Sequence, residues 1–212
     1  YKNRIFVSIA GTIEDEIFDC FNRAQSLAAG IELNISSPNT VGLRIFHETG
    51  RLRGLIEGLT AEKTVPLFVK LPPWSRDDDD RREILKLAET AIDAGVDGLI
   101  VANTRPVENS RLKVGRGGLS GKPLFENTEL MIADVQALVH DEIGIIACGG
   151  VSTPTHVWKL IASGASAVQL YTSFIYEGPG LPARLNKGLA KLMDAAGITT
   201  VEEISGTPPT IK

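Results

Sequence analysis

Clustered basic residues and long apolar stretches are both missing from this sequence. Its 212 residues carry a formal net charge of −4, and no run of Lys and Arg stands out. Without a positive patch that binds a phosphate backbone, we expect no nucleic acid partner. No apolar stretch approaches the roughly 20 residues of a membrane-spanning helix, and the N-terminus lacks the pattern of a signal peptide. We therefore expect a soluble, cytoplasmic chain.

Cysteine and histidine are also scarce. Cys20 lies in a helical pattern and Cys148 in a strand pattern, and there is no third cysteine. This usage predicts reduced core thiols in a cytosolic setting rather than a disulfide framework. Among His47, His140 and His156, no two stand at metal-ligand spacing, so no metal site is predicted.

Short apolar runs are abundant, and six of them are continuous rather than alternating. Continuous runs of this length are typical of strands that are buried on both faces of a parallel sheet. The predicted strands span residues 5–10, 31–35, 67–71, 98–102, 143–148 and 167–170. The segments between them have the periodicity of amphipathic helices, so the chain alternates strand and helix.

Several local signals set the expected bounds of the helices and loops. The first helix is predicted to follow a Thr12 cap and to be stopped by Gly30, and a later helix begins at Pro154. The acidic run 77–80 is expected at a helix start, where carboxylates complement the helix dipole, rather than at a cation site. The polar segment 106–118 is predicted to be a flexible loop over the site.

Strict alternation of strand and helix leaves two architectures, an open doubly wound sheet and a closed (β/α) barrel. The first strand-to-helix turn is Ala10-Gly11-Thr12, which lacks the glycine fingerprint of a dinucleotide fold. Gly149-Gly150 and Tyr171-Thr172 follow the last two strands, where barrels commonly bind phosphate. We predict an α/β fold, a (β/α)8 TIM barrel of which about six of eight βα units are present, with residues 1–212 as one N-terminally truncated domain.

Polar residues crowd the ends of four predicted strands. They are Ser36 to Thr40, Asn103-Thr104, Cys148 to Gly150, and Gln169 to Thr172. Because the carboxyl ends of barrel strands share one face, these residues are predicted to form one site.

In order and spacing, these motifs resemble the C-terminal two-thirds of a dihydroorotate dehydrogenase, an FMN-dependent barrel enzyme of pyrimidine synthesis. The resemblance covers nearly the whole chain. It is carried by residues 34–40 with Gly42-Leu43-Arg44, and by Val69-Lys70, Asn103-Thr104, 117–124, Gly149-Gly150-Val151 and 164–172. Members that use fumarate or NAD carry cysteine in the Ser-Cys-Pro-Asn motif, so Ser37 and the following Gly-Leu-Arg resemble the membrane-associated, quinone-dependent class.

The resemblance implies FMN as cofactor and oxidation of dihydroorotate to orotate, with quinone as electron acceptor. Quinone and a peripheral inner-membrane location would depend on N-terminal helices that this chain lacks. Ser37 would be the base that removes the C5 proton, and Thr40 would be its first relay. Lys70 would stabilise the negative charge of reduced flavin.

The remaining site residues follow from the same resemblance. Carboxamides and hydroxyls that both donate and accept would bind the amide-rich substrate: Asn34, Asn39, Asn103 and Thr104. The flavin contacts implied are Ser8, Asn34, Lys70, Ala102, Ser120, Gly121, Gly149, Gly150, Tyr171 and Thr172.

Three departures from the family pattern leave other functions open. Ser8 stands where the family has asparagine, Pro72-Pro73-Trp74 replaces the usual sequence after the lysine, and the first two strands of the family barrel are not in this chain. One alternative is an FMN barrel oxidoreductase that acts on another cyclic amide. Another is an inactive fragment that keeps only the phosphate and flavin cradle. A flavin-free phosphosugar barrel is a third, against which Lys70 and the asparagine-rich strand ends argue.

Overall fold

A computed structural model describes residues 5–37, 42–74, 77–139 and 143–206. Within these ranges the strands are β1 (Phe6–Ile9), β2 (Gly30–Asn34), β3 (Leu67–Lys70), β4 (Gly98–Val101), β5 (Arg105–Glu108), β6 (Arg116–Leu119), β7 (Gly144–Cys148) and β8 (Ala167–Gln169). The hairpin β5–β6 is separate and antiparallel, and the other strands form one parallel sheet. All six predicted strands of the parallel sheet are thus confirmed.

The parallel sheet has the order β1-β2-β3-β4-β7-β8, so each of its strands pairs with the strand of this sheet that follows it in the chain. A doubly wound sheet would reverse this progression at a switch point. In a flat sheet β2 and β8 would lie about 19 Å apart, because neighbouring strands are about 4.8 Å apart. Yet Gln169 Nε2 on β8 lies 3.3 Å from Glu32 Oε2 on β2. The sheet therefore curls on itself as a barrel sheet does, which confirms the predicted fold class.

Seven α-helices lie in the described ranges and connect or follow the strands. They are α1 (Glu14–Gln25), α2 (Thr49–Glu62), α3 (Asp78–Asp93), α4 (Phe125–Val139), α5 (Pro154–Ala162), α6 (Thr172–Glu177) and α7 (Leu181–Ala196). Their apolar stripes pack against strand residues such as Leu33, Val69 and Ile145, which are fully buried. Because side chains alternate along a strand, the neighbouring residues Glu32 and Lys70 face the concave side of the sheet.

Two predicted helix boundaries were wrong. α1 begins at Glu14 after Ile13, whose side chain makes no capping hydrogen bond, so Thr12 is not the cap. Gly30 does not stop that helix but opens β2, since α1 already ends at Gln25. A Cβ at Gly30 would lie 2.7 Å from the Phe6 ring on β1, so close packing between the strands explains this glycine.

The predictions for segment 106–118 and for Cys20 also need correction. The segment is not a structureless loop, because β5 and β6 pair within it and the Asn109 N–H donates to Gly115 O over 2.9 Å. Cys20 is exposed rather than in the core, because it lies on the outward face of α1, which buries Ile17 and Phe21.

The acidic run lies at a helix start, as predicted. Asp77 is the N-cap of α3, and its carboxylate accepts hydrogen bonds from the backbone N–H of Asp79 at 2.8 Å and of Asp80 at 3.3 Å. Across the described ranges, none of the helices is long and apolar enough to span a lipid bilayer.

Candidate active site

A cavity of about 540 Å³ opens at the carboxyl ends of the parallel strands. Its size is within the range of roughly 300–1,000 Å³ that is usual for small-molecule and cofactor sites. It is lined by Lys70, Ala102, Asn103, Thr104, Ser120, Gly121, Leu124, residues 148–151 and residues 169–173. The structure thus brings together predicted site residues from four strands of the sheet and from the segment after β6.

A hydrogen-bonded cluster joins the ends of β2 and β4. Asn34 Oδ1 accepts from the Ser36 N–H at 3.1 Å and from Ser36 Oγ at 2.9 Å. Asn103 Nδ2 donates to Ser36 Oγ at 2.9 Å and lies 3.4 Å from Asn34 Oδ1, while Asn103 Oδ1 accepts from the Thr104 N–H at 2.8 Å. The two strand ends that the sequence marked as polar are therefore in direct contact.

A second network surrounds Lys70 at the floor of the cavity. Glu32 Oε1 accepts from Ser8 Oγ at 2.7 Å and lies 3.4 Å from Lys70 Nζ. Gln169 contacts both partners, because its Oε1 is 3.4 Å from Lys70 Nζ and its Nε2 is 3.3 Å from Glu32 Oε2. Lys70 is therefore already paired with a carboxylate of this chain, so its charge does not need a bound anion for neutralisation.

Sequence reasoning missed Glu32, although a signal for it was present, and it placed Gln169 at a polar strand end without predicting its contacts. A carboxylate inside the apolar run 31–35 is a charge in a buried strand, which is costly unless a partner neutralises it. The lysine at the end of the next strand is that partner. Gln169 was predicted to lie near the site, but no local signal indicated its contacts, since they come from strands that are distant along the chain.

Cys148 also lines the cavity and lies close to this network. Burial raises the pKa of its thiol, and the nearby Lys70 charge opposes part of that rise. A thiol with a raised pKa stays protonated and is a weak nucleophile. Among the described residues no group of three or more His, Cys, Asp and Glu side chains is arranged to hold a metal ion.

The opposite wall of the cavity consists of glycine-containing turns. Gly149 and Gly150 follow β7, and Thr172 at the start of α6 donates its hydroxyl to Ser120 Oγ at 2.9 Å. At Gly150 φ is 74°, and a Cβ would lie 2.5 Å from the Phe125 backbone N. The chain therefore passes close to the α4 start and leaves backbone rather than side chains facing the cavity.

His156, which the sequence left without a role, lies behind these turns. Its ring stacks on Phe125 with 3.9 Å between the ring centroids, and a hydrogen bond joins it to the Gly150 backbone. Burial lowers the pKa of the His156 imidazole, against the opposing effect of that hydrogen bond. The His156 ring thus contacts both the Gly150 turn and Phe125, against which that turn packs.

Not all predicted site residues are described by the structure. Ser37 is half-buried just beyond β2, and Ser8 is exposed on β1. Asn39 and Thr40 lie outside the described residues. The predicted roles of Ser37, Asn39 and Thr40 therefore remain predictions.

Comparisons with known proteins show which sequences this chain resembles. The family model described as Dihydroorotate dehydrogenase matches residues 1–193. The chain is 34% identical over 200 residues to dihydroorotate dehydrogenase (quinone) of Deinococcus deserti, which covers 88% of this chain and 54% of the relative. It is 36% identical over 212 residues to the mitochondrial quinone enzyme of Arabidopsis thaliana, covering 92% of this chain and 45% of the relative.

A solved structure shows the same similarity in three dimensions. The crystal structure of DHODH from Eimeria tenella in complex with ferulenol superposes with a TM-score of 0.80 at 33% identity. The match covers 91% of this chain and 57% of that one. This chain therefore spans about half the length of the curated relatives that it matches.

Proposed function

The chain belongs to the dihydroorotate dehydrogenase family, and we propose that it contributes the flavin- and substrate-binding half of an enzyme that oxidises dihydroorotate to orotate in pyrimidine synthesis. The observation that carries this proposal is the cavity at the strand ends. It is lined by a lysine, an asparagine and paired glycine turns at the positions that the family resemblance assigns to the flavin and the substrate.

The residues around the cavity fit FMN. The turns at Gly121 and Gly149-Gly150 line the cavity, where a phosphate can accept hydrogen bonds from backbone N–H groups. Lys70, whose side chain is only 13% exposed, provides a fixed cation for the flavin edge that becomes negative. FMN, when bound, supplies the acceptor for the hydride that leaves C6 of the substrate.

The substrate is proposed to lie against the Asn34–Ser36–Asn103 cluster. Dihydroorotate is a cyclic compound with amide groups and a carboxylate, so it needs side chains that donate and accept in fixed directions. The hydrogen bonds within the cluster restrict the rotamers of both asparagines, which supports such a role. Thr104 and Asn39 complete the proposed contacts.

Ser37 is proposed to be the base that takes the C5 proton. A serine hydroxyl is a poor base by itself, so the proton must pass to a neighbour or to water, and Thr40 is the proposed first relay. Quinone as the final electron acceptor, and membrane association with it, are proposed from the relatives, whose names specify quinone.

The visible absorption spectrum of the purified chain tests the cofactor and the substrate together. We expect a flavin spectrum that bleaches when dihydroorotate is added anaerobically. A flavin spectrum that does not bleach would instead favour another cyclic amide substrate or a cradle without activity. A chain that takes up no flavin would refute the proposal.

The role of Ser37 is tested by Ser37→Ala. We expect the variant to retain flavin and to lose roughly 10²- to 10⁴-fold in the rate of bleaching, the usual contribution of a general base. Ser163→Ala is the matched control, because the Ser163 hydroxyl donates to Lys159 O at the end of α5 and Ser163 is not among the residues that line the cavity. Equal rates in the two variants would exclude Ser37 as the base.

A further inference from the structure

Glu32 is a buried carboxylate at the centre of the concave face of the sheet, and the proposed chemistry does not use it. The residue is 6% exposed. Its two oxygens are contacted from three other strands, by Ser8 on β1, Lys70 on β3 and Gln169 on β8. The position of this carboxylate is therefore fixed from both edges of the sheet.

Stability alone does not account for this arrangement. A buried ion pair loses so much hydration that apolar residues of similar volume often stabilise a fold equally well. A fixed negative charge next to Lys70 does, however, weaken the positive electrostatic potential that this lysine produces at a neighbouring group. The pair is nearly neutral at a distance, whereas Lys70 alone would present a full positive charge to the cavity.

We infer that Glu32 is a positioning residue for Lys70, which directs the ammonium group and offsets part of its charge at the flavin edge. The inference rests on the proposed function, because it assumes that the cavity binds FMN. Glu32 is not among the residues that line the cavity, whereas Lys70, its ion-pair partner, is. Its effect is to limit how strongly the site stabilises the anionic reduced flavin, which keeps the midpoint potential of the flavin lower than an uncompensated lysine would.

Two substitutions on the network are expected to shift this potential in opposite directions. Glu32→Gln removes the charge at nearly constant volume, so the midpoint potential should become more positive. At a fixed solution potential the oxidised-to-reduced ratio of the flavin should fall about tenfold. Ser8, which the family resemblance assigns to the flavin, is not among the residues that line the cavity. Ser8→Ala removes the hydroxyl that donates to the Glu32 carboxylate over 2.7 Å. The carboxylate then compensates Lys70 more strongly, and the potential should become more negative.

The experiment is an anaerobic spectrophotometric titration of the flavin-loaded chain against redox dyes, with thermal unfolding of each variant measured alongside. Glu57→Gln is the control, since it makes the same change in net charge on α2, where the Glu57 side chain is 58% exposed. We expect no change in potential for this variant. Opposite shifts for Glu32→Gln and Ser8→Ala support the inference, because a loss of packing would not give opposite signs.

Other outcomes overturn the inference. It fails if Glu32→Gln leaves the potential where Glu57→Gln leaves it, or if both network variants shift in one direction in proportion to their loss of thermal stability. If Glu32→Gln does not fold, Ser8→Ala decides alone, and an unchanged potential would refute the inference. A wild-type chain without flavin would refute the proposed function first and this inference with it, which separates the two failures.

Discussion

Gly150 controls how closely the backbone after β7 approaches both the α4 start and the cavity. Its positive φ of 74° and the 2.5 Å that would separate a Cβ from the Phe125 N both disfavour a side chain. We expect Gly150→Ala to weaken FMN binding at least tenfold and to lower the free energy of unfolding by about 1–3 kcal/mol. Flavin fluorescence titration and urea unfolding measure the two effects.

A second glycine, Gly197, is a control that distinguishes the effect of backbone strain from the effect on the FMN site. Gly197 has a similar φ of 71° at the end of α7, but a Cβ at this position would meet no other atom within 4 Å. Gly197→Ala should therefore cost about 1–2 kcal/mol of stability through the left-handed backbone alone and leave FMN binding unchanged. If both variants lose flavin equally, the Gly150 turn is not part of the cofactor site.

His156, which contacts the Gly150 turn, is expected to make the stability of the fold depend on pH. Because burial lowers its pKa in the folded chain below the ordinary value of 6.5, the unfolded chain binds more protons between these two pKa values. The stability contributed by the neutral ring is present above pH 6.5 and is lost as the pH falls through the folded-state pKa. Lys159 and Lys122 oppose protonation of the ring and Glu129 favours it.

The corresponding variant is His156→Gln, which cannot take up this proton. We expect its melting temperature to fall less than that of the wild type as the pH is lowered from about 7.5 to 5.5. Differential scanning calorimetry across this range measures the slope. Identical slopes would mean that His156 does not contribute to the acid sensitivity of the fold.

At the scale of elements, the acidic run 77–80 stabilises the start of α3 rather than binding a ligand. Asp77→Ala removes the side-chain acceptor for the Asp79 and Asp80 N–H groups and should cost about 1 kcal/mol. Asp78→Ala removes a first-turn carboxylate but keeps the cap, so its cost should be smaller, about 0.3–1 kcal/mol. Chemical denaturation of the two variants tests this order, and a larger loss for Asp78→Ala would contradict it.

Elements that are stabilised by burial could be predicted from the sequence, whereas an element that is stabilised by backbone pairing could not. The runs 31–35 and 98–102 could be predicted as buried strands because they are largely apolar and the residues on both faces of those strands are buried. The hairpin β5–β6 gave no such signal, since Arg105, Pro106 and Glu108 are exposed and the two strands mainly satisfy each other's backbone hydrogen bonds. A hairpin of this kind is specified by pairing rather than by burial.

The same distinction separates the predicted from the missed site residues. Asn34, Asn103 and the Gly149-Gly150 pair lie in motifs whose order along the chain can be recognised. The contact of Gln169 with Glu32 spans 137 positions and exists only because the sheet curls, so no local pattern predicts it. His156 was likewise missed because its partner Phe125 comes from another helix.

At the scale of the whole molecule, the two edge strands of the curled sheet affect how the chain associates. In the described part of the chain, β1 and β8 each pair on one side only. Exposed apolar side chains lie next to both, with Ile5 and Phe6 at β1 and Tyr171 just after β8. Unpaired strand edges beside apolar surface favour association with another strand, and a net charge of −4 opposes it only weakly.

We therefore expect the isolated chain to self-associate, so that its mass by light scattering rises above 22.8 kDa as its concentration is increased. Phe6→Lys places a charge on the β1 edge and should restore the monomer, since edge lysines block strand addition. Leu130→Lys is the control, because Leu130 has a similar exposure, 53% against 48% for Phe6, but lies on α4. A wild-type mass that stays at the monomer value would contradict this expectation, and equal effects of both lysines would trace the association to apolar surface in general rather than to the strand edge.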